Sequence, residues 1–338
     1  MRRCIELARM GAGNVSTNPM VGAVIVHNGI IIGEGYHRKC GGPHAEVNAV
    51  NSVSDPALLP ESEIYVSLEP CAHFGKTPPC ADLIIEKRIR KVYVGCRDSF
   101  SKVDGKGIMK LRNAGIDVEV GILEGECQEL NKRFFTSINQ GRPYVILKWA
   151  QSVDGFIDKD FAPVRISNHE TEVLNHKWRS EEDAILVGTN TALRDNPSLT
   201  NRLWAGKNPV RVVIDRNLRL DGTAKLLDQS VRTVIFCGKG MSPESDLSNL
   251  IYREIDFGAD VPRQILEALH EIRVQSLIVE GGAYTHRMFL ETNLWDEARV
   301  LVAPTTLGNG TRAVSLPAGK QVSSENIGDN CLMIFRNR

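Results

Sequence analysis

Four side chains in two short stretches have the types that a reactive metal centre needs. His44 and Glu46 stand in GGPHAEVNAV (41–50), and Cys71 and Cys80 stand in EPCAHFGKTPPC (69–80). An imidazole and two thiolates suit zinc. Three protein ligands leave a fourth position open to water, which separates a catalytic site from a structural one. Zinc lowers the pKa of water it binds to about 7, so hydroxide becomes available at neutral pH. Glu46, close behind His44 in the chain, is near enough to take that water's proton and pass it to a leaving amine, provided it is not itself a ligand. Two blander readings compete: ordinary side chains scattered in loops, or a non-enzymatic zinc module closed by Cys40 or His73. A lone His or Cys is usually structural, but four residues of fitting type in this order favour a zinc site.

Hydrophobic periodicity shows which elements must place these groups. Residues 1–10 have helical spacing, and VGAVIVHNGIIIGEGY (21–36) is two apolar runs split by Asn28-Gly29, which predicts a β-hairpin. PHAEVNAVNSV predicts a helix able to bury Ala45, Val47, Ala49 and Val50, with His44 and Glu46 at its start. IYVSLEP predicts a buried strand that delivers Cys71 to a loop. The Gly and Pro residues of AHFGKTPP let the chain turn and bring Cys80 back. ADLIIEKRIR, KVYVGCRDS, GIMKLRNAGI and IDVEVGIL continue as helix, strand, helix and strand, so an α/β layered domain is expected, its layers ending near residue 125. A helix-like stretch, CQELNKRFFTSIN, leads to the punctuation QGRPY (140–144). The first domain is therefore expected over 1–140 and the second over 143–338. In the second, VILKWAQSVDG, SEEDAILVGTN, PVRVVIDR, TVIFCG, LIVEGG and RVLVAPT predict a further α/β alternation.

Composition narrows the class of function. A chain of 338 residues is long enough for two domains. With 41 basic and 41 acidic residues it lacks the cationic excess on which nucleic-acid binders rely. MRRCIELARMGAG is interrupted by Glu6 and Arg9, which predicts no signal peptide, and no apolar run reaches membrane-spanning length. A cytoplasmic location is expected, where the eight cysteines stay reduced and a clustered pair is better read as metal ligands than as a disulfide. Only Cys71 and Cys80 cluster.

Zinc nucleobase deaminases carry H-x-E and P-C-x-x-C. HAE matches the first, and Pro70-Cys71 opens the second, with a longer insert before Cys80. With TNPMVGAVIV and GYHRKCGGPHAE, these stretches resemble the deaminase half of the bifunctional riboflavin-biosynthesis deaminase/reductase, in which the long insert is usual. The resemblance implies a cytidine-deaminase-like α/β/α domain, zinc on His44, Cys71 and Cys80, and Glu46 as proton shuttle. It also implies that Asn18, His73 and Lys76 face the substrate. The family commonly has DPNP after its fourth strand, where this chain has Asp98-Ser99-Phe100-Ser101.

On its own residues the second half says less. LIVEGGAY (277–284) is a strand ending in two glycines before a helix, a junction that can hold a phosphate or simply turn. No GxGxxG follows a strand, so a Rossmann site finds no support. Arg179 and Arg202 flank GTNTALRDNPSLT, which itself carries Arg194; guanidinium groups suit phosphate, though most arginines are merely solvated.

RPYVILKWAQSVDG, RSEEDAILVGTNTALRDNPSLTNR and VEGGAYTH resemble the reductase half of the same family. That implies a dihydrofolate-reductase-like α/β domain using NADPH. By position, Ala150, Arg165, Thr191, Asp195, Gly282, Ala283, Tyr284, Thr285, His286 and Arg287 would meet the cofactor. Lys148, Arg179, Leu199, Arg202 and Glu280 would meet the substrate, with Lys148 and Asp195 as alternative proton handlers. The chain departs from the family at Pro163-Val164-Arg165-Ile166-Ser167, where Ser-x-Trp-Ile-Thr or Ser is common, and at Asp215-Arg216, where Asp-Ser is frequent.

The expected function is two-step. Zinc hydrolytic deamination of a phosphoribosylated diaminopyrimidine is followed by NADPH reduction of its ribosyl group to ribityl. The expected partners are small phosphoribosyl pyrimidines, not nucleic acid or membrane, with a homo-oligomer left open. Two rivals remain: a deaminase whose reductase-like half has lost activity, and an RNA-editing or nucleoside deaminase with an unrelated appended domain.

Overall fold

Asn28 and Gly29 both take positive φ, 48° and 77°, as a tight hairpin turn requires. They fold β1 (Gly22–His27) back on β2 (Ile30–Tyr36) as the sequence predicts. This computed structural model describes residues 1–74, 78–99, 104–162, 164–243, 248–316 and 320–337. They divide into two compact units, Met1–Gly141 and Arg142–Arg338.

In the first unit the hairpin joins a sheet of order β2-β1-β3-β4-β5, with β3 (Glu63–Leu68), β4 (Lys91–Cys96) and β5 (Asp117–Val120) parallel to one another. Alternation on β1 sends Ala23 and Ile25 to one face and Val24 to the other. The first face is covered by α2 (Ala45–Asn51), α3 (Cys80–Glu86) and α4 (Lys106–Asn113). The second is covered by α1 (Arg2–Arg9) and α5 (Glu124–Leu130). Two buried faces make a three-layer α/β/α unit. A Cβ on Gly33 of β2 would lie 2.6 Å from the Ala49 carbonyl oxygen. Only glycine there lets α2, which carries Glu46, lie flat on the hairpin.

The helix-like stretch before the boundary is not continuous. It breaks at Asn131 between α5 and α6 (Lys132–Gln140). The Asn131 side chain accepts from the Met20 amide (2.8 Å) and donates to the Met20 carbonyl (2.9 Å). This long-range clasp competes with helical bonding at a residue type prone to such competition.

The second unit is built on β6 (Tyr144–Ser152), α7 (His169–Glu181), β7 (Ala184–Gly188), α8 (Thr189–Asp195), β8 (Val210–Ile214), β9 (Thr233–Gly238), β10 (Leu250–Ile255), α9 (Val261–Glu271), β11 (Ser276–Gly281), α10 (Ala283–Glu291), β12 (Glu297–Ala303), β13 (Lys320–Ile327) and β14 (Asn330–Arg336). The nine-stranded sheet has the order β10-β9-β8-β7-β11-β6-β12-β14-β13, parallel through β12 and antiparallel at β14 and β13. Val145 and Leu147 pack with α9 and α10, while Tyr144 and Ile146 pack on the face holding Trp178 of α7. Burial on both faces explains why these strands read as near-continuous apolar runs. Two helices begin at sequence-encoded caps: Asn168 accepts from the Thr171 amide, and Asp260 from the Arg263 amide.

Candidate functional site

In the first unit the ends of three elements converge. His44 is the extended N-cap of α2, Cys71 lies just past β3, and Cys80 begins α3. His44 Nδ1 lies 3.3 Å from Cys80 Sγ and 3.6 Å from Cys71 Sγ, and all three donor atoms fall within 4.8 Å of one another. A tetrahedral zinc with ordinary bond lengths has N–S edges of about 3.6 Å. The triangle therefore fits the ion in both donor chemistry and size. Among the described residues no fourth His, Cys, Asp or Glu joins it. Cys40 is exposed, 3.9 Å from Asn18 Oδ1, and His73 stands apart from the cluster. That speaks against a closed module.

The electrostatics suit a cation. The hydrogen bond from Cys80, with His44 and the Cys80 amide (3.3 Å), holds the Cys71 thiol down at about 4. The same bond to Cys71, with burial, pushes Cys80 up. Ligation by a divalent ion needs both sulfurs as thiolates, so its binding displaces any thiol proton held between them. Hydrogen bonding to Cys71 raises His44. Glu46 is buried at 3% exposure, which pushes its carboxyl above the usual range, and it reaches the Cys80 thiol.

Two supporting residues escaped the sequence reading. His37, at the end of the hairpin, donates Nδ1–H to the Pro43 carbonyl (3.0 Å). Its Nε2 is then the acceptor for the Asn18 amide (3.0 Å). Its ring meets that of His44 edge-on at 5.5 Å, so Asn18 is fixed against the metal triangle through His37. Glu69 is buried and accepts from the amides of Gly105 (3.0 Å), Gly107 (3.0 Å) and Ile108 (3.3 Å). It thereby ties the Pro70-Cys71 turn to the start of α4. Lys76, and Phe100 and Ser101 of the departing stretch, lie outside the described residues.

In the second unit a cavity of about 790 Å³ opens along one end of the sheet. Lys148 and Ala150 of β6, Thr191 and Asp195 of α8, Glu280 of β11, and Gly282 through His286 line it. Glu280 is the extra residue where β11 slips against β7, since Val279 pairs with Leu186 and Gly281 with Val187. Such a bulge re-aims a side chain. Glu280 meets Arg179 Nη2 at 2.9 Å and Lys148 Nζ at 3.9 Å. Burial opposes its ionisation, yet Arg179 and Lys148 hold the carboxyl at about 2. Burial also pushes the Lys148 ammonium down, against the pull of Glu280. Asp195 is raised by partial burial.

Because Glu280 is depressed from the ordinary 4.5 to about 2, its pairing stabilises the unit fully above pH 4.5. That contribution is lost as pH falls through the folded value. In Glu280→Gln the acid limb of the unit's unfolding temperature, followed by calorimetry, is expected to be shallower between those values. A wild-type slope would contradict the pairing.

The cavity suits a dinucleotide. Gly188 and Gly282 are the extended N-caps of α8 and α10, and a Cβ on Gly282 would stand 3.1 Å from Thr191 Oγ1. Side-chain-free helix starts of this kind expose amides to phosphate. Not every expected residue arrives there. Arg165 is exposed and pairs with Glu172 at 3.0 Å, while its neighbours Val164, Ile166 and Ser167 line the cavity. Pro163 lies outside the described residues. Arg287 is exposed and Leu199 is buried in the core; neither lines the cavity. Arg202 bonds Ser198 and Thr200 hydroxyls, and its amide donates to His176 (2.9 Å). Burial, with Arg179 and Arg202 nearby, drives His176 down to about 4. Arg216 and Arg219 line the rim, and Arg219 was not singled out from sequence.

Family models match both units. Residues 1–96 match the cytidine and deoxycytidylate deaminase zinc-binding region, and residues 143–332 match the RibD C-terminal domain. The riboflavin biosynthesis protein RibD of Aquifex aeolicus is 38% identical over 99% of this chain and 97% of its own. That of Bacillus amyloliquefaciens is 40% identical over 96% and 88%. The chain belongs to the RibD family. A Thermotoga maritima structure, a diaminohydroxyphosphoribosylaminopyrimidine deaminase/5-amino-6-(5-phosphoribosylamino)uracil reductase, superposes with a TM-score of 0.91 at 36% identity, covering 99% of this chain and 97% of that one. Acinetobacter baumannii RibD gives 0.89 at 32% identity, with the same coverage. Membership accounts for both layouts: a deaminase-type α/β/α unit and a RibD reductase unit of dihydrofolate-reductase type.

Proposed function

We propose that this RibD-family chain is a bifunctional enzyme of riboflavin biosynthesis. It deaminates 2,5-diamino-6-(5-phosphoribosylamino)pyrimidin-4-one hydrolytically and then reduces the ribosyl group of 5-amino-6-(5-phosphoribosylamino)uracil to ribityl. The observation that carries it is the three-donor triangle with Glu46 beside it and no fourth ligand among the described residues. We assign residues 1–140 to deamination and 143–338 to reduction.

His44, Cys71 and Cys80 would hold zinc, which would supply the Lewis acidity that activates a water for attack. Glu46 takes a proton from the attacking water on its carboxylate and delivers it to the departing amine. Its burial keeps it protonatable between those two acts. Asn18, held by His37, faces the pyrimidine together with His73.

Thr191 and the start of α10 from Gly282 to His286 would hold NADPH, which would supply the hydride needed at C1′ of the ribosylamine. The ribose ring oxygen released there needs a proton, and we assign its delivery to the Lys148 ammonium. Lys148 is buried beside the reacting end, whereas Asp195 lies at the cavity's open side. Glu280, ionised by its pairing with Arg179, holds Lys148 in place. Among the described residues the Arg202 guanidinium bonds only the Ser198 and Thr200 hydroxyls, so its charge remains for the substrate phosphate, whereas that of Arg179 is taken up by Glu280. With Lys148, Glu280 and Asp195 all on one cavity, a lapsed reductase half finds no support. No helix among the described residues is long and apolar enough to cross a membrane, and we place the enzyme in the cytoplasm.

The test supplies the diaminopyrimidine ribotide and follows both products. Ammonia is expected without NADPH. One NADPH oxidised per ribityl product is expected once the cofactor is added. No ammonia from this substrate, with release from cytidine instead, would overturn the assignment.

A further inference from the structure

Arg216 and Arg219 stand on the turn after β8, on the rim of the reductase cavity. In the sheet order β8 is three steps from β6, the strand of Lys148, or about 14 Å at ordinary strand spacing. The arginines therefore meet the far end of an extended dinucleotide whose reactive ring lies at Lys148. Neither arginine is ion-paired within the protein among the described residues. Arg216 lies over the Phe257 ring at 5.6 Å, and the nearby Asp256 is engaged by Lys239 (2.8 Å).

The turn is built to present them. Asp215 is 1% exposed and faces inward, where Oδ2 accepts from the Leu220 amide (2.9 Å). Its carbonyl accepts from the Leu218 amide (3.1 Å), and Leu218 takes a φ of 48°. The Arg216 carbonyl accepts from the Gly238 amide (2.9 Å). An acid at a strand end of a dinucleotide site can hold a ribose 2′-hydroxyl and repel a phosphate placed there, whereas an arginine accommodates it. Here the acid is turned away and two unpaired guanidinium groups face out.

We propose that Arg216 and Arg219 select the 2′-phosphorylated dinucleotide over its unphosphorylated counterpart by gripping the adenosine 2′-phosphate. The inference rests on the reductase reading above. Charge-assisted contacts to phosphate are the strong ones, and planar guanidinium groups suit them. The experiment compares the parent with Arg216→Ala/Arg219→Ala. Binding of adenosine 2′,5′-bisphosphate and of 5′-AMP is measured by titration calorimetry, and kcat/KM is measured with NADPH and with NADH. In the parent the bisphosphate binds tighter than AMP and NADPH is preferred. In the double variant both preferences are expected to fall by about 30-fold. A folded double variant whose ratios stay within about threefold of the parent overturns the inference alone. A parent that binds neither nucleotide and oxidises neither cofactor sinks the reductase reading, and this inference with it.

Discussion

In Glu46→Gln, ammonia release is expected to fall by about 10²–10⁴-fold, or about 3–5 kcal/mol of barrier, while zinc content stays at one per chain. Glutamine keeps the shape and hydrogen-bonding reach of the side chain but cannot accept and return a proton. The site leaves little room for a substitute. Glu46 is 3% exposed, and among the described residues no second carboxylate joins the donor triangle. Zinc retention follows because the three donors are His44, Cys71 and Cys80, and Glu46 is outside their set. Metal analysis and an ammonia assay on one preparation decide the matter. Normal deamination, or loss of zinc together with activity, would remove Glu46 from the role of proton shuttle. Reduction of the separately supplied deaminated intermediate should continue, because its residues lie in the other unit.

What sequence could and could not foresee follows from the range of the interactions. The hairpin at Asn28-Gly29 and the helix starting at His44 were legible because turn chemistry and amphipathic spacing are local. The clustering of His44, Cys71 and Cys80 was legible because their side-chain chemistry is rare enough to stand out at any spacing. His37 and Glu69 were not. Each acts through partners far along the chain, Asn18 for one and the amides of 105–108 for the other. Nothing local marks either as more than a polar residue at a strand end. The break at Asn131 belongs to the same class, set by a clasp on Met20. In the second unit, strands read from apolar runs were found, but β10, β13 and β14 were not read. β13 and the outer part of β10 are exposed and carry mixed polar residues, so no period-2 or buried-run signal survives. Arg165 shows the limit of carrying a role by position: its charge is engaged by Glu172 on α7, while the residues flanking it reach the cavity.

Stripping the metal should separate the two activities completely. His44, Cys71 and Cys80 come from the starts of two helices and from the loop after a strand, so the ion would add a covalent-strength cross-link to elements that otherwise share apolar packing and the hydrogen bond from the Ala81 amide to the Cys71 carbonyl. Without it the Cys71 thiol is drawn down and that of Cys80 pushed up. A divalent ion replaces that arrangement with three direct bonds, and its binding energy adds to folding stability. Dialysis against a strong chelator is therefore expected to abolish ammonia release and lower the unfolding temperature of the first unit. The thiols of Cys71 and Cys80 should then become reactive to a maleimide, although Cys80 is fully buried here. NADPH oxidation with the deaminated intermediate should persist near its original rate, since Lys148, Glu280 and Arg179 owe nothing to the triangle. Restoring one zinc per chain should return ammonia release and protect both thiols together. Should metal-free protein, verified by elemental analysis, still deaminate, the three side chains would be structural neighbours and the chemistry would have to lie elsewhere.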